Sequence, residues 1–197
     1  MELVLDLNRR YTYADYLTWM DDKLRELFNG FVKIMSPAPS RKHQKTGGEL
    51  FGNLRDVVKR NNKKNQKDNQ IFYAPFDVRL PKDGETADDK IYTVVQPDIC
   101  VVCDPAKLDD RGCLGAPDLI VEIQSPATAK YDLNDKFFIY EEAGVKEYWI
   151  VFPLDKEIVV FLLQENGKYD KGTIYQQGKV PVRIFDGEKI DINEIFT

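Results

Sequence analysis

Apolar residues fall along this chain in short, nearly unbroken runs separated by turn residues, which predicts a sheet-rich fold with few helices. The predicted strands are IFYAPFDVRL (71–80), VVQPDICVVCDP (94–105), DLIVEIQ (118–124), KEYWIVF (146–152) and EIVVFLLQ (157–164). The run at 118–124 is apolar enough to be a central strand covered on both faces. Ahead of these, RELFNGFVKIM (25–35) places two strand-like arms around Asn29 and Gly30. A type I′ hairpin turn needs positive φ at both central residues, and Asn-Gly supplies it. Leu50, Leu54, Val57 and Val58 recur at helical spacing and predict a long helix from 41 to about 61, with Ser40 as candidate N-cap. Gly47 and Gly48 lower helix propensity there and mark close packing, a ligand approach or a later helix start. A short helix is predicted after Thr12 and another over 132–143, stopped by Gly144. SPAPS (36–40) and SPAT (125–128) read as turns, 81–90 as an acidic loop, 106–117 as a connection, and the tail as further short strands with a terminal helical turn. This order predicts an α/β (α+β) fold, a mixed sheet flanked by helices, in one domain over 1–197.

Composition narrows the class. With 43% hydrophobic and 31% charged residues the chain is an ordinary globular protein. No apolar run is long enough to span a membrane and no export signal opens the chain, so the expected location is the cytoplasm. Three cysteines, Cys100, Cys103 and Cys113, suit a reducing compartment better than a disulfide framework. Residues three apart on a strand point to opposite faces, and neither a second cysteine pair nor a nearby histidine completes a zinc site around CVVC. The net charge of −5 does not advertise nucleic-acid binding, yet residues 55–68 hold six Lys or Arg against two Asp. That stretch is either a solvated helix end or a phosphate-tracking surface.

Two acids interrupt the apolar 118–124 run. Strand alternation puts Asp118, Ile120, Glu122 and Gln124 on one face. A buried carboxylate needs a cation, a hydrogen-bonding partner or a metal, because isolated it would rather protonate. Asp98 opens the preceding strand after Pro97, and adjacent strands lie about 5 Å apart, so Asp98 and Glu122 could meet. Two strand carboxylates with waters and a substrate phosphate form a ligand set for Mg²⁺ (or Mn²⁺). Lys136 shares a helix face with Asp132 and Tyr140. It either reaches back to the sheet edge or forms a helix-surface ion pair with Asp132. His43 is the only histidine, which excludes a multi-histidine centre within one chain. No nucleophile elbow, phosphate loop or dinucleotide fingerprint is present.

The run from QPDICVVCD through GAPDLIVEIQSPATAKYDLNDKFFIYEEAGVKEYWIVFP (96–153), with RELFNGFVKIMSPAPSRKHQ (25–44) upstream, resembles the Uma family of restriction-endonuclease-like proteins. That family, formerly a domain of unknown function, sits in the PD-(D/E)XK nuclease superfamily, and the likeness covers about residues 12–165. The resemblance implies a four-stranded mixed core sheet flanked by helices, with Asp98 and Glu122 as metal ligands. Gln124 stands where the superfamily pattern has lysine, so the cationic role would pass to Lys136. Glu26 and His43 match family positions near the same cleft, and Asp118 is either a supporting or a structural residue.

The expected function is Mg²⁺-dependent hydrolysis of phosphodiester bonds in DNA. Asp98, Glu122, Gln124 and Lys136 would be catalytic, and Lys59, Arg60, Lys63 and Lys64 would track the backbone. The alternative is a catalytically inactive nuclease-fold scaffold that binds DNA or a protein partner, favoured by the acidic net charge and the missing strand lysine. A homodimer, or a partner from a mobile element or defence system, would supply the recognition that the sequence lacks.

Overall fold

The computed structural model describes residues 3–21, 23–35, 39–124 and 132–197. The proposed turns at 36–40 and 125–128 fall largely outside these residues. Helix α1 (Tyr13–Tyr16) is shorter than its predicted segment and is closed by a capping box between Thr12 and Asp15. Strands β1 (Arg25–Phe28) and β2 (Phe31–Ile34) form the expected hairpin, with φ of 52° at Asn29 and 91° at Gly30. Helix α2 (Arg41–Asn65) starts at the Ser40 cap and runs past the predicted end. Gly47 lies in close packing: a Cβ there would sit 2.5 Å from the Tyr73 hydroxyl and 3.1 Å from Ile123. Gly48 faces open space.

The predicted strand at 71–80 is two strands, β3 (Gln70–Tyr73) and β4 (Val78–Arg79), and the one at 94–105 is also two, β5 (Val94–Val95) and β6 (Ile99–Val102). Pro75 and Pro97 cause the breaks, since neither can donate to a ladder and each disfavours helix or strand continuity around it. The chain crosses between sheets at both places. The 106–117 connection contains a small hairpin, β7 (Leu108–Asp109) and β8 (Gly112–Leu114). Next come β9 (Leu119–Ile123), α3 (Asp132–Ala143), β10 (Glu147–Phe152) and β11 (Glu157–Leu162). The tail supplies β12 (Thr173–Tyr175), β13 (Lys179–Pro181), β14 (Lys189–Asp191) and α4 (Ile192–Ile195).

The result is a mixed α+β architecture. One sheet runs β12-β11-β10-β9-β6-β3, six strands rather than the four that the resemblance implied, because the two flanking strands extend the ladder. Only β9 and β10 pair in parallel within it, joined by α3 as a crossover. A second six-stranded sheet, β2-β1-β5-β4-β8-β7, contains the N-terminal hairpin, and β13-β14 form a separate pair.

Strand alternation sorts the core. Leu119, Val121, Ile123, Trp149 and Val151 pack with Leu50, Leu54 and Val57 of α2 and with the C-terminal segment. Ile120, Tyr148 and Ile150 face the other way, with Ile139 and Tyr140 of α3 and with Phe28, Val78 and Val95 of the second sheet. Glu122 points into this second layer, between a helix and the hairpin. Glu147, wholly buried, accepts hydrogen bonds from Trp149 Nε1 at 2.7 Å and from the Ile184 amide at 2.9 Å, so the acid in the Glu-Tyr-Trp run anchors the C-terminal segment. Cys100 packs in the layer containing Glu122 and Cys103 against the opposite one. Burial pushes the Cys103 thiol up to about 12 and that of Cys113 up to about 11, so neither is a ready thiolate. No helix among the described residues is long and apolar enough to cross a membrane.

Candidate active site

The antiparallel register pairs Ile99 with Val121, so the next position along sets Asp98 across from Glu122 on one sheet face. The Ile123 amide donates to Asp98 Oδ2 at 2.7 Å, which ties the acid to the end of β9. His43, one turn into α2, brings Nε2 to 3.4 Å from the same Oδ2. Burial disfavours the imidazolium, but Asp98 outweighs it and the His43 pKa lies above its ordinary value. The close approach at Gly47 lets α2 lie near enough for this contact.

Lys136 reaches inward from α3. Its Nζ donates to Glu122 Oε1 at 2.9 Å and stands 3.0 Å from Glu26 Oε1, so the ammonium bridges the strand acid and the hairpin acid. The side chain of Asp132 lies outside the described residues, and the inward reach of Lys136 is the geometry that applies. Glu26 also accepts from the Gln96 amide at 2.8 Å, and the Gln96 side chain donates to Asp77 at 2.7 Å. Tyr140, one turn beyond Lys136, donates its hydroxyl to Glu122 Oε1 at 2.6 Å. The sequence showed Tyr140 only as a face-mate of Lys136; the signal for its part in the cluster was the i,i+4 spacing.

Two carboxylates, Glu122 and Glu26, therefore share one ammonium, and Asp98 adds a third negative charge near Glu122. Burial, with Asp98 and Glu26 beside it, outweighs the pull of Lys136 and leaves the Glu122 carboxyl pushed up to about 7. Burial opposes the charge on Lys136, but the facing glutamates outweigh it and hold the amine above the usual lysine range. Lys136 stays charged and Glu122 is the group that titrates. Such a cluster is short of positive charge, and a hard cation would relieve it.

Asp98 and Glu122 are the carboxylates placed to hold such an ion. Asp98 is the more open, its side chain 21% exposed against 9% for Glu122. Among the described residues no three His, Cys, Asp or Glu side chains converge into a protein-only ligand set. An ion bound there would complete its shell with water and substrate oxygens, which suits Mg²⁺ and not zinc. Gln124 follows two residues after Glu122, and among the described residues neither its buried Oε1 nor Nδ1 of His43 has a hydrogen-bond partner.

The other predicted site residues lie elsewhere. Asp118 shares a face with Glu122 but stands four residues back, about 13 Å along the strand. Its carboxylate accepts from Lys146 Nζ at 2.7 Å and the Cys103 amide at 2.8 Å, so it is a structural acid at the far end of the sheet. Burial pushes its pKa up, but Lys146 and the amide outweigh that and hold it below the ordinary 3.8. The stability it contributes is present above that value and lost as pH falls through the folded pKa. Asp118→Asn is expected to cost about 1–3 kcal/mol at neutral pH. In urea unfolding at a series of pH values, the gap from wild type should close in acid.

Lys59, Arg60, Lys63 and Lys64 occupy the other end of α2, about 24–32 Å along the helix from His43. Arg60 is paired there with Glu188 at 2.9 Å.

Comparison with known proteins agrees with this fold. A crystal structure described as a "putative nuclease belonging to DUF820", from Anabaena variabilis ATCC 29413, superposes with a TM-score of 0.69, covering 94% of this chain and 97% of that one. At 19% identity this likeness establishes the fold alone. The uncharacterized protein slr1290 of Synechocystis sp. is 31% identical over 74 residues, a match spanning 37% of this chain and 39% of the relative's length. The Uma2 family model, described as "Putative restriction endonuclease", matches residues 13–187, and the chain belongs to that family.

Proposed function

We propose that this protein is a metal-dependent endonuclease that hydrolyses phosphodiester bonds in DNA, with Mg²⁺ or Mn²⁺ held by Asp98 and Glu122. The observation that carries the reading is the opposed pair of strand carboxylates with a buried ammonium against one of them. A bound ion would lower the pKa of a water and neutralise charge on the scissile phosphate. Asp98, fixed by the Ile123 amide, and Glu122, fixed by Tyr140, would hold it in place. Lys136 would stabilise charge gathering on the phosphate, Gln124 would accept a hydrogen bond from the water at its buried Oε1, and Glu26 would keep Lys136 aimed. His43 would hold Asp98 in orientation. A family described as restriction endonuclease and a neighbour described as a nuclease both favour this reading.

Mn²⁺ titration by calorimetry tests it. Wild type is expected to bind at pH 8, while Asp98→Asn and Glu122→Gln should each lose at least about tenfold in affinity. Because Glu122 must shed its proton, affinity should be roughly tenfold weaker at pH 6 than at pH 8. No binding by wild type, or equal binding by the variants, would overturn the assignment. It would favour the second reading, a scaffold in which Lys136 serves only as the counter-ion of Glu26 and Glu122.

A further inference from the structure

A cluster with more carboxylates than cations repels a polyanion, so a strand of DNA entering it must be held from the rim. We propose that Lys33, Arg41 and Lys42, standing on two sides of the carboxylate cluster, form the phosphate-backbone contact of the DNA, in place of the basic stretch at 59–64. This inference rests on the nuclease reading.

Lys33 pairs across the hairpin with Glu26, so both side chains leave the sheet on one face. Its side chain is 46% exposed, and its ammonium lies 5.7 Å from the centre of the Phe28 ring and touches Asp135, the residue before Lys136, only at 3.6 Å. It is thus an ammonium beside the hairpin acid that Lys136 contacts, with a loose and half-exposed partner. Arg41 and Lys42 open α2 immediately before His43, whose imidazole contacts Asp98. Both are exposed, and neither makes an ion pair among the described residues. Side chains in a first turn lean toward the helix start, here the end that carries the Asp98 contact.

Local stability does not explain these charges. The first turn of α2 has two cations and no acid, the reverse of what the helix dipole favours. Arg41 and Lys45 stand at the like-charged i,i+4 spacing, and only Lys45 is tied down, to the Thr197 carbonyl at 2.7 Å. His43 in the same turn is 8% exposed and leaves Nδ1 unpartnered. The 59–64 stretch, by contrast, is about 7–9 nucleotide steps from the carboxylates at 3.4 Å per step.

Fluorescence anisotropy of a labelled DNA duplex in Ca²⁺, over a series of salt concentrations, tests the proposal. The Lys33→Gln/Arg41→Gln/Lys42→Gln protein is expected to bind at least about tenfold more weakly, and its slope of log K against log salt should fall by about 2–3. The charge-preserving Lys33→Arg/Arg41→Lys/Lys42→Arg protein should bind like wild type. The Lys59→Gln/Arg60→Gln/Lys63→Gln/Lys64→Gln protein should keep the wild-type slope. If wild type binds and the rim variant matches it in affinity and slope, or if the 59–64 variant takes the loss instead, the proposal is wrong while the nuclease reading stands. If wild type binds neither duplex nor single-stranded DNA, both fall together.

Discussion

Replacing Lys136 with methionine is expected to destabilise the protein by about 3–5 kcal/mol at pH 8, because two buried carboxylates lose the one cation between them. The loss should be smaller at pH 5.5. There Glu122 can take up a proton and bond as a neutral acid, a shift already foreshadowed by its raised carboxyl. Urea unfolding at the two pH values separates the cases: a loss below about 1 kcal/mol that does not change with pH would mean that Lys136 is not their counter-ion. On the proposed function the same variant should hydrolyse DNA on the order of 100–1,000-fold more slowly while binding Mn²⁺ no worse than wild type. A competitor for the carboxylates is gone, but so is the charge that meets the phosphate.

The Glu122→Gln variant should lose on the order of 100–10,000-fold in hydrolysis, the rate equivalent of the several kcal/mol that a positioned dication supplies. Its unfolding profile carries a second signature, visible without metal. Burial lifts the Glu122 carboxyl from an unfolded value of 4.5 to about 7. Between those values the native state holds more protons than the unfolded chain, so this group makes stability fall as pH rises, by roughly 3 kcal/mol in all. Glutamine cannot titrate, and in EDTA the variant should lack that decline. A wild-type profile that is flat from pH 4.5 to 7, or a variant that keeps the slope, would place the titration on another group.

Much of this arrangement was legible because its signals are local. Asn29-Gly30 dictates a tight hairpin, Ser40 caps α2, and Gly144 ends α3 with a positive φ of 85°. Acids at Asp98 and Glu122, in runs otherwise fit for burial, marked strand positions needing a partner, and adjacent ladders brought them opposite. The contact of Lys136 with Glu26 was not legible. It depends on how the second sheet packs against α3, across more than 100 residues of sequence. The prolines at 75 and 97 were visible, but a proline says only that a ladder breaks, not that the chain changes sheets there. Asp118 stayed open between a supporting and a structural role for a physical reason: strand alternation fixes the face of a side chain and leaves its distance along the strand to be counted. The 59–64 stretch posed a similar problem, since charge density along a helix does not say which end meets the site.

The central claim is hydrolysis at the Asp98 and Glu122 pair, and its most direct test is conversion of supercoiled plasmid to nicked or linear DNA. Wild type, Asp98→Asn, Glu122→Gln and Lys136→Met, purified identically, would be compared in Mg²⁺, in Mn²⁺ and in EDTA. Wild type is expected to cleave only when the metal is present, and all three variants are expected to lose cleavage. Cleavage that persists equally in the variants or in EDTA, or a wild type that binds DNA and Mn²⁺ yet leaves the plasmid intact, would contradict it.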